Sequence, residues 1–551
     1  MIDVDHGRAR LDQHVARRTD LERAGLIDRA ALPWVLATVR ELHAAKRAVV
    51  GPDDVSVSYA ELDEGVQAVA GRLLDDGIAA GDVVVVYAQN SVAWIESVLA
   101  CWHVGAIALP IVTLYREHEL RQILDQVDPR GLVSVEQARG RALAECLDDV
   151  VSGTRAKIVS RLLLDGTRPG WASRTDLAPR KVPPAPIAPD APLLMLTTSG
   201  TMSAPKLVVH TSTSLLANAR HWRYMHDWTS FDVSYLPVPL AHVAGIQRGV
   251  TVPFTSGATV VLRDGWDTSR WVSDMVGFGV SQTNVPALLL PEVMGLYDDA
   301  GRPDLAVRFM VAARMPGDDP SFVRAEDWGL NPTRTYGMTE CPASTFHPTG
   351  SPFAARQATS GRPAPGVELR VVDEAGRELP PGEPGELLVG GPNQMLCYLD
   401  PELDRTVWTT DGLIRTGDVA VLTVSGEVAI TGRLKEIINR GGEKFSAREV
   451  EEVILKHAGV QDVAVVPAPD RRLGEVPAAF VVGRDGVPLS AELLRAHLDA
   501  SGVAKQKIPA AWRFVGELPR TGIHKIAKAE LIARLQAEVR DTGSLPVEEV
   551  R

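Results

Sequence analysis

Cysteine is scarce in this sequence. Only four cysteines occur among the 551 residues, and no two of them form a Cys-x-x-Cys pair. Small secreted domains that rely on disulfides contain far more cysteine, and structural zinc sites usually need closely spaced ligands. We therefore expect neither a disulfide framework nor a zinc site, and the composition favours a reducing, cytoplasmic compartment.

Long apolar runs and an excess of basic residues are missing as well. No run of about twenty apolar residues occurs, which is the length that a membrane-spanning helix needs. The first residues mix charges of both signs and lack the apolar core of a signal peptide. With 58 basic and 70 acidic side chains, the net charge of −12 offers no basic surface for nucleic acid. These absences predict no membrane span and no nucleic-acid partner, and they leave the oligomeric state open.

What is present is enough apolar material for more than one globular domain. A chain of 551 residues, of which 45% are hydrophobic, is too long for one compact core. Strand-like apolar runs, such as Val83 to Val86 and Val233 to Leu240, alternate with helical patterns, such as Val92 to His103. This alternation predicts an α/β fold in which helices cover parallel sheets.

The character of the sequence changes twice towards the C-terminus. Beyond Gly361, short β runs separated by tight turns predict a β-rich subdomain. After about residue 434, helical and strand-like patterns, including a helix from Ala491 to Ala500, predict a smaller α+β domain. We therefore expect an N-terminal extension (residues 1–30), a large N-terminal domain (31–434, with the β-rich subdomain at about 361–434) and a C-terminal domain (435–551).

The most informative stretch runs from Leu193 to His210. An apolar run predicts a buried strand, which leads into a loop of hydroxyl residues and glycine, Thr197 to Ser203, followed by Lys206. Glycine lets backbone N–H groups approach an anion, while hydroxyls and a lysine add hydrogen bonds and positive charge. The loop is not a Walker motif, because Lys206 is neither preceded by glycine nor followed by Ser or Thr. It fits a polyphosphate site, and it also fits an ordinary surface turn.

Four further motifs follow along the chain. They are Tyr336-Gly337-Met338-Thr339-Glu340, Arg415-Thr416-Gly417-Asp418, Gly432-Arg433, and the segment from Pro519 to Lys525. With these motifs in this order, the sequence from about residue 35 to 536 resembles the superfamily of adenylate-forming (AMP-binding) enzymes, in its branch of acyl-CoA synthetases and aryl-acid ligases. The resemblance implies a large N-terminal domain of parallel α/β sheets with a β-rich subdomain, and a small, mobile α+β C-terminal domain.

The resemblance also implies a reaction in two steps. A carboxylate attacks the α-phosphorus of ATP and pyrophosphate leaves, after which the acyl group of the acyl adenylate passes to the thiol of coenzyme A. Because two anions must meet, the site has to neutralise charge and hold the reactants in line. ATP and Mg²⁺ are therefore the implied cofactors, and coenzyme A is the implied co-substrate.

The residues that the resemblance assigns to ATP come from four of the five motifs. They are Thr198, Ser199, Gly200, Thr201 and Lys206 at the phosphates, Tyr336 and Gly337 at the adenine, and Asp418 and Arg433 at the ribose. Tyr336 would stack on the base, and Asp418 would accept hydrogen bonds from the ribose hydroxyls. Asp418 or Arg433 would alternatively be one half of a structural ion pair.

Three residues are implied to take part in the chemistry itself. Glu340 would hold Mg²⁺ through oxygen, which suits a hard cation, and Thr339 would contact a phosphate. Lys525 would bridge the substrate carboxylate and the α-phosphate, where negative charge builds up in the transition state.

Further residues are implied to line the acyl pocket and to permit domain movement. The pocket set is His242, Val311, Ala312 and Ala313, the hinge is Lys435, and the tunnel for the thiol contains Gly441 and Gly442. For His242, a purely structural role is an equally good alternative to a role in the pocket. Val311 and Ala312 stand where relatives have glycine, and their added methyl groups reduce the pocket volume. We therefore expect an aryl, alicyclic or short acyl substrate instead of a long fatty acid.

Three departures from the family pattern keep other functions open. Ser203 and Leu207 stand where relatives have glycine, and His524 replaces the glycine before the lysine. A thiol of a carrier-protein phosphopantetheine is an alternative acceptor, and adenylation of nitrite is an alternative first step. A noncatalytic nucleotide-binding or partner-binding protein is the alternative outside enzymes.

Overall fold

The valine run Val83–Tyr87 lies at the centre of an eight-stranded, mostly parallel sheet. In the computed structural model, the described residues are 4–13, 15–27, 29–198, 205–285, 289–296, 303–312, 320–440, 443–470, 473–501, 503–520, 526–542 and 548–549. They form two compact units. The first contains Met1–Thr198, Ala204–Leu369 and Val389–Ile414, and the second contains Arg370–Leu388 and Arg415–Arg551. The domain boundary that we expect near residue 434 stays a prediction.

The eight-stranded sheet of the first unit is parallel except at one edge. In spatial order its strands are Cys397–Tyr398, Lys206–Thr211, Pro192–Thr198, Ile107–Pro110, Val83–Tyr87, Pro129–Ser134, Ser160–Leu163 and Ala172–Ser173. Pro192–Thr198 and Lys206–Thr211 pair with each other in antiparallel fashion, so the predicted phosphate loop connects the two strands of a hairpin. The valine-rich strands are buried on both faces, as expected for parallel strands covered by helices.

The first unit contains a second, seven-stranded sheet. In spatial order its strands are Pro332–Thr333, Phe309–Val311, Gln282–Asn284, Val233–Leu236, Thr259–Leu262, Arg47–Val50 and Ser56–Ser58. All neighbours are parallel except the last pair. The strand predicted from Val233 to Leu240 is wrong in its second half, because Pro237 and Pro239 lack the N–H donors that a strand needs.

Helices cover these sheets and bury their apolar faces. Those of the first unit are Asp5–Gln13, Val15–Arg23, Leu32–Leu42, Tyr59–Asp75, Val92–His103, Glu117–Leu124, Leu143–Ser152, Ser212–His226, Val243–Gly245, Val252–Ser256, Thr268–Gly277, Leu290–Leu296, Pro320–Asp327, Phe353–Ala358 and Pro401–Val407. A π-helical turn, Ile246–Thr251, and a 3₁₀ turn, Arg174–Asp176, complete the set. Short strand pairs lie at Gln137–Ala138 with Arg141–Ala142, and at Thr345–Phe346 with Arg362–Pro363.

The second unit consists of two antiparallel or mixed sheets with helices. One sheet contains the strands Glu368–Val372, Gly385–Gly390, Ile414–Leu422 and Val428–Arg433, of which a few terminal residues are assigned to the first unit. The other contains Ile437–Arg440, Glu443–Ser446, Val460–Asp470, Gly474–Gly483, Ala511–Phe514 and Glu548–Glu549. Its helices are Ala447–Leu455, Ala491–Ala500 and Lys528–Thr542, with 3₁₀ turns at Leu434–Glu436 and Lys505–Lys507. These elements confirm the predicted fold class, parallel α/β sheets with additional small sheets and C-terminal elements.

The N-terminal extension is helical and packs within the first unit. His6 Nε2 donates a hydrogen bond to the carbonyl of Tyr398 at 3.0 Å. The Arg10 guanidinium carbon lies 3.5 Å from the ring centroid of Trp408, and its Nη2 donates to the Met395 carbonyl at 3.2 Å. The extension therefore supports the strand that carries Tyr398.

Within the described residues, no helix is both long enough and apolar enough to cross a membrane. All four cysteines lie in the described part of the chain as buried thiols that form no disulfide.

Candidate active site

The predicted pocket residue Val311 lies at the carboxyl edge of the seven-stranded sheet. Asn284, Val311 and Thr333 are direct neighbours in register at the ends of three parallel strands. The chain leaving Thr333 leads within a few residues into the Tyr336 to Glu340 motif. Open α/β sheets bind ligands at the carboxyl ends of their strands, so this edge is the expected place for a substrate.

Glu340 is a buried carboxylate with a defined partner. It is 7% exposed, and it accepts a hydrogen bond from the Tyr398 hydroxyl at 2.5 Å. Burial and the neighbouring Glu340 raise the pKa of Tyr398 far above its usual value, so the phenol keeps its proton and remains a donor. The Glu340 carbonyl also accepts from the Met395 N–H at 2.7 Å, which fixes the backbone. The carboxylate is thus held in one orientation.

The hairpin that carries the predicted phosphate loop contacts Tyr398 at one end of its second strand and the Tyr336 to Glu340 motif at the other. Lys206, which pairs with Thr198 across the hairpin, places its ammonium 5.1 Å from the centroid of the Tyr398 ring. At the other end of the same strand, His210 Nε2 donates to the Thr339 carbonyl at 2.8 Å. Burial lowers the pKa of His210 to about 4, so the ring is neutral at physiological pH. Lys206, Tyr398 and Glu340 therefore form one cluster.

Tyr336 and Gly337 are fixed by the backbone that follows them. The Tyr336 N–H donates to Thr345 Oγ1 at 3.1 Å, and the residue is 7% exposed. A side chain at Gly337 would place its Cβ 2.3 Å from the backbone nitrogen of Ala343. No residue other than glycine fits this close approach of two backbone segments. The contact of Tyr336 with adenine stays a prediction.

Of the predicted pocket residues, His242 caps a short helix, and Val311 and Ala312 lie at the end of a strand. His242 Nδ1 accepts a hydrogen bond from the Ala244 N–H at 3.2 Å, at the start of Val243–Gly245. This contact agrees with the structural alternative for His242, whose role in the pocket stays a prediction. Val311 and Ala312 are buried at the end of Phe309–Val311, where the Ala312 N–H donates to the Thr333 carbonyl at 2.9 Å.

Asp418 and Arg433 lie opposite each other within the second unit. They are register partners on Ile414–Leu422 and Val428–Arg433, and Arg433 Nε is 2.8 Å from Asp418 Oδ1. The structure thus forms the ion pair that the sequence left as an alternative. Because the Arg433 side chain is half exposed, a ligand that reaches the pair from solvent is compatible with it. Ribose binding by these residues stays a prediction.

Eight predicted residues lie wholly or partly outside the described part of the chain. Wholly outside are Ser199, Gly200, Thr201, Ala313, Gly441, Gly442 and Lys525. The backbone of Lys435 belongs to the 3₁₀ turn Leu434–Glu436, while its side chain lies outside the described part of the structure. Their roles remain those that the family resemblance implies.

Two residues at the site were missed by sequence reasoning. Tyr398 sits in an apolar segment that gives no sign of a polar role, because only the tertiary fold brings its hydroxyl to Glu340. His210 ends the stretch that contains the phosphate loop, but its contact with Thr339 spans 129 residues of sequence. Histidine at the end of an apolar strand was the one available indication.

The oxygen-rich donor set fits Mg²⁺ and a nucleotide. Glu340 offers a carboxylate and Thr339 a hydroxyl, which are the ligand types that a hard cation prefers. Lys206 lies near the same cluster and adds a positive charge for phosphate oxygens.

Known proteins share both the sequence pattern and the fold. The model of the AMP-binding enzyme family matches residues 36–399, and that of the AMP-binding enzyme C-terminal domain matches residues 449–525. A sulfoacetate–CoA ligase of Cupriavidus necator is 31% identical over 83% of this chain and 88% of its own length. A medium-chain fatty-acid–CoA ligase of Escherichia coli is 30% identical over 95% of this chain and 94% of its own.

A solved structure agrees with these relatives. ATP-bound MatB from Rhodopseudomonas palustris superimposes with a TM-score of 0.82 at 25% identity, covering 91% of this chain and 98% of MatB. The family models together span most of the chain, and both sequence relatives are matched over nearly their whole length. The chain therefore belongs to the AMP-binding enzyme family, as an AMP-forming acid–thiol ligase.

Proposed function

We propose that this protein activates an aryl, alicyclic or short-chain carboxylic acid as its acyl adenylate and transfers the acyl group to coenzyme A. The observation that carries the proposal is the cluster of Lys206, Tyr398 and Glu340. It combines a fixed carboxylate for a metal ion with a lysine for phosphate. Family membership supplies the reaction type.

In the first step, a substrate carboxylate oxygen forms a bond to the α-phosphorus while the bond to the β-phosphate oxygen breaks. Pyrophosphate leaves with both electrons of that bond. Thr198 and Lys206 would bind the phosphates, and Glu340 would hold Mg²⁺, which supplies further charge neutralisation when bound. Lys525 would stabilise the charge that develops between carboxylate and phosphate.

In the second step, the thiol sulfur bonds to the acyl carbon and AMP leaves as the thiol loses its proton. By resemblance, rotation about Lys435 would exchange the face that carries Lys525 for one that carries Gly441 and Gly442. Glycine suits the passage of a narrow pantetheine arm close to the backbone. This rotation is part of the proposal.

The side chains at the carboxyl edge of the seven-stranded sheet are expected to limit the size of the substrate. Val311 and Ala312 are 3% and 0% exposed, and each carries a side chain where the family pattern has glycine. The relatives named above act on acids as different as sulfoacetate and medium-chain fatty acids, so relatedness alone does not select the acid. We expect kcat/KM for palmitate to be at least about 100-fold lower than for the best short or cyclic acid, because added methyl groups close a narrow pocket. Coupled measurement of AMP release with each acid checks this prediction.

Pyrophosphate exchange into ATP tests the proposed first step. The purified full-length chain is incubated with ATP, Mg²⁺ and labelled pyrophosphate across aryl, alicyclic, short-chain and long-chain acids, with nitrite as a further arm. Acid-dependent exchange, followed by thioester formation on addition of coenzyme A, supports the proposal. Transfer only to a carrier protein, exchange only with nitrite, or nucleotide binding without any exchange would each replace it with a different function.

Tyr398→Phe tests whether the hydroxyl of Tyr398 supports the metal-binding carboxylate. Removing a hydrogen bond to a charged group is expected to lower kcat/KM for MgATP by about 10-fold and to raise the Mg²⁺ concentration needed for half-maximal exchange. Tyr59→Phe is the matched control, because its buried hydroxyl donates to the Ala258 carbonyl at 2.6 Å, just before a strand of the seven-stranded sheet, whereas Tyr398 belongs to the eight-stranded sheet. An equal change in Mg²⁺ dependence in both variants would contradict the assignment of Tyr398.

A further inference from the structure

Arg248 is a buried cation, and some of its N–H donors make no hydrogen bond to the described residues. It belongs to the π-helical turn Ile246–Thr251 and is 4% exposed. Its Nε and Nη1 atoms are buried and have no hydrogen-bond partner within the described part of the chain. Its guanidinium carbon lies 5.7 Å from the ring centroid of Trp222. The aromatic face and one amide are the only partners that the described residues offer this charge.

The amide is that of Asn284, and it ties Arg248 to the carboxyl edge of the seven-stranded sheet. In the orientation that satisfies both polar ends of the amide, its oxygen accepts from Arg248 Nη2 at 3.1 Å. Its nitrogen then donates to the Val311 carbonyl at 2.8 Å. Arg248 thus lies one side chain away from Val311, which is one of the residues predicted to line the acyl pocket.

Other buried arginines in the described part of the chain have a carboxylate nearby. The pairs are Arg40 with Asp63, Arg263 with Asp274, Arg356 with Glu326, Arg513 with Glu538, and, through a longer-range interaction, Arg10 with Asp404. For Arg248, burial lowers the pKa to about 10, and no charged side chain among the described residues opposes this shift. The guanidinium nevertheless stays protonated at neutral pH.

An isolated buried charge is costly, and unsatisfied donors add to that cost. Folded proteins normally offset it with a counter-ion from their own chain, as in the five pairs above. Where the described residues supply no counter-ion at an edge that binds ligands, we expect the anion to be part of the ligand. The phosphates of ATP are not the candidate, since the lysine and carboxylate cluster that would hold them is a separate group of residues.

We propose that Arg248 binds a second anionic group of the acid substrate, a carboxylate or a sulfonate at the end remote from the carboxylate that is adenylated. The inference rests on the proposed function, and it narrows the substrate class to short dianionic acids. Nε–H and Nη1–H would donate to the oxygens of this group, while Asn284 and Trp222 hold the guanidinium in place.

Pairs of acids that match in size and differ in charge test the proposal. The probes are succinate and 3-sulfopropionate, each compared with butyrate, in acid-dependent pyrophosphate exchange with the full chain. We expect kcat/KM for at least one dianion to exceed that for butyrate by about 10-fold or more, because hydrogen bonds between charged groups are stronger than neutral ones. The better dianion shows whether the site prefers a carboxylate or a sulfonate. A wild-type preference for butyrate over both would overturn the proposal.

Two substitutions locate the preference at Arg248. Arg248→Gln is expected to lower kcat/KM for the preferred dianion by about 30-fold or more and to retain or increase the activity with butyrate. Arg248→Lys is expected to lose less of the activity with the dianion than Arg248→Gln does. Arg40→Gln is the control: it removes a buried arginine that pairs with Asp63, so it should lower the melting temperature and leave the dianion-to-butyrate ratio unchanged. An unchanged ratio in Arg248→Gln would overturn the proposal.

The test separates this inference from the function on which it rests. If Arg248→Gln fails to fold, the dianion-to-butyrate ratio of kcat/KM is compared between wild type and Arg248→Lys. This comparison still tests the proposal, because a lysine retains the charge but loses the planar geometry. Exchange with butyrate and other monoanions alone would refute the role of Arg248 and keep the ligase function. Absence of exchange with every acid would refute both.

Discussion

Replacing Lys525 by alanine is expected to lower the rate of acyl-adenylate formation by about 100- to 1000-fold, the usual effect of removing one group that stabilises developing negative charge. The second half-reaction, thioester formation from synthetic acyl adenylate and coenzyme A, should change by less than about threefold, because the new charge in that step develops elsewhere. Pyrophosphate exchange and thioester release, measured separately on the same preparation, give the two rates.

Lys507→Ala is a suitable control for Lys525→Ala. Lys507 belongs to the same unit and pairs with Glu449 at 2.5 Å in a partly exposed position. Such surface pairs contribute little to stability, so both half-reactions should stay within about twofold of wild type. Equal loss of both half-reactions in Lys525→Ala would contradict a lysine that serves adenylation alone, and with it the proposed rotation about Lys435.

Replacing Glu340 by glutamine is expected to reduce pyrophosphate exchange by about 100-fold at low Mg²⁺, since the amide keeps the shape of the side chain but loses the charge that binds the cation. The amide oxygen still accepts from the Tyr398 hydroxyl, so the buried cluster should persist. Titrating Mg²⁺ at fixed ATP should show a higher concentration for half-maximal exchange.

Glu326→Gln serves as the comparison for Glu340→Gln. Glu326 pairs with Arg356 at 2.6 Å in the same unit, and it belongs to the helix Pro320–Asp327. We expect its loss to lower the melting temperature without altering Mg²⁺ dependence. Should Glu340→Gln retain both the wild-type rate and the wild-type Mg²⁺ dependence, Glu340 would not be the metal ligand.

Much of the fold could be predicted because its elements are encoded by local patterns. The helices Val92–His103 and Ala491–Ala500 have the predicted bounds, since their apolar periodicity is uninterrupted. The strand predicted from Val233 ends earlier, at Leu236, where proline replaces backbone donors. The antiparallel hairpin around the phosphate loop was not predicted, because strand pairing depends on contacts that a single apolar run does not encode.

The candidate site could be predicted only where its residues form contiguous motifs. Tyr336 to Glu340 is such a motif, and Glu340 is indeed buried at a polar cluster. Tyr398 and Arg248 lie in segments with no motif, and their significance comes from what the fold places beside them. Charge without a partner is a property of three-dimensional packing, so Arg248 could not be singled out from its sequence neighbours.

The central claim is that a substrate carboxylate attacks the α-phosphorus of ATP. Isotope transfer tests it most directly: an acid that supports exchange is prepared with ¹⁸O in its carboxylate and turned over with ATP, Mg²⁺ and coenzyme A, and the products are analysed by mass spectrometry. The account predicts one ¹⁸O atom in the phosphate of AMP and none in pyrophosphate. Formation of ADP with ¹⁸O in inorganic phosphate, or AMP without the label, would contradict it.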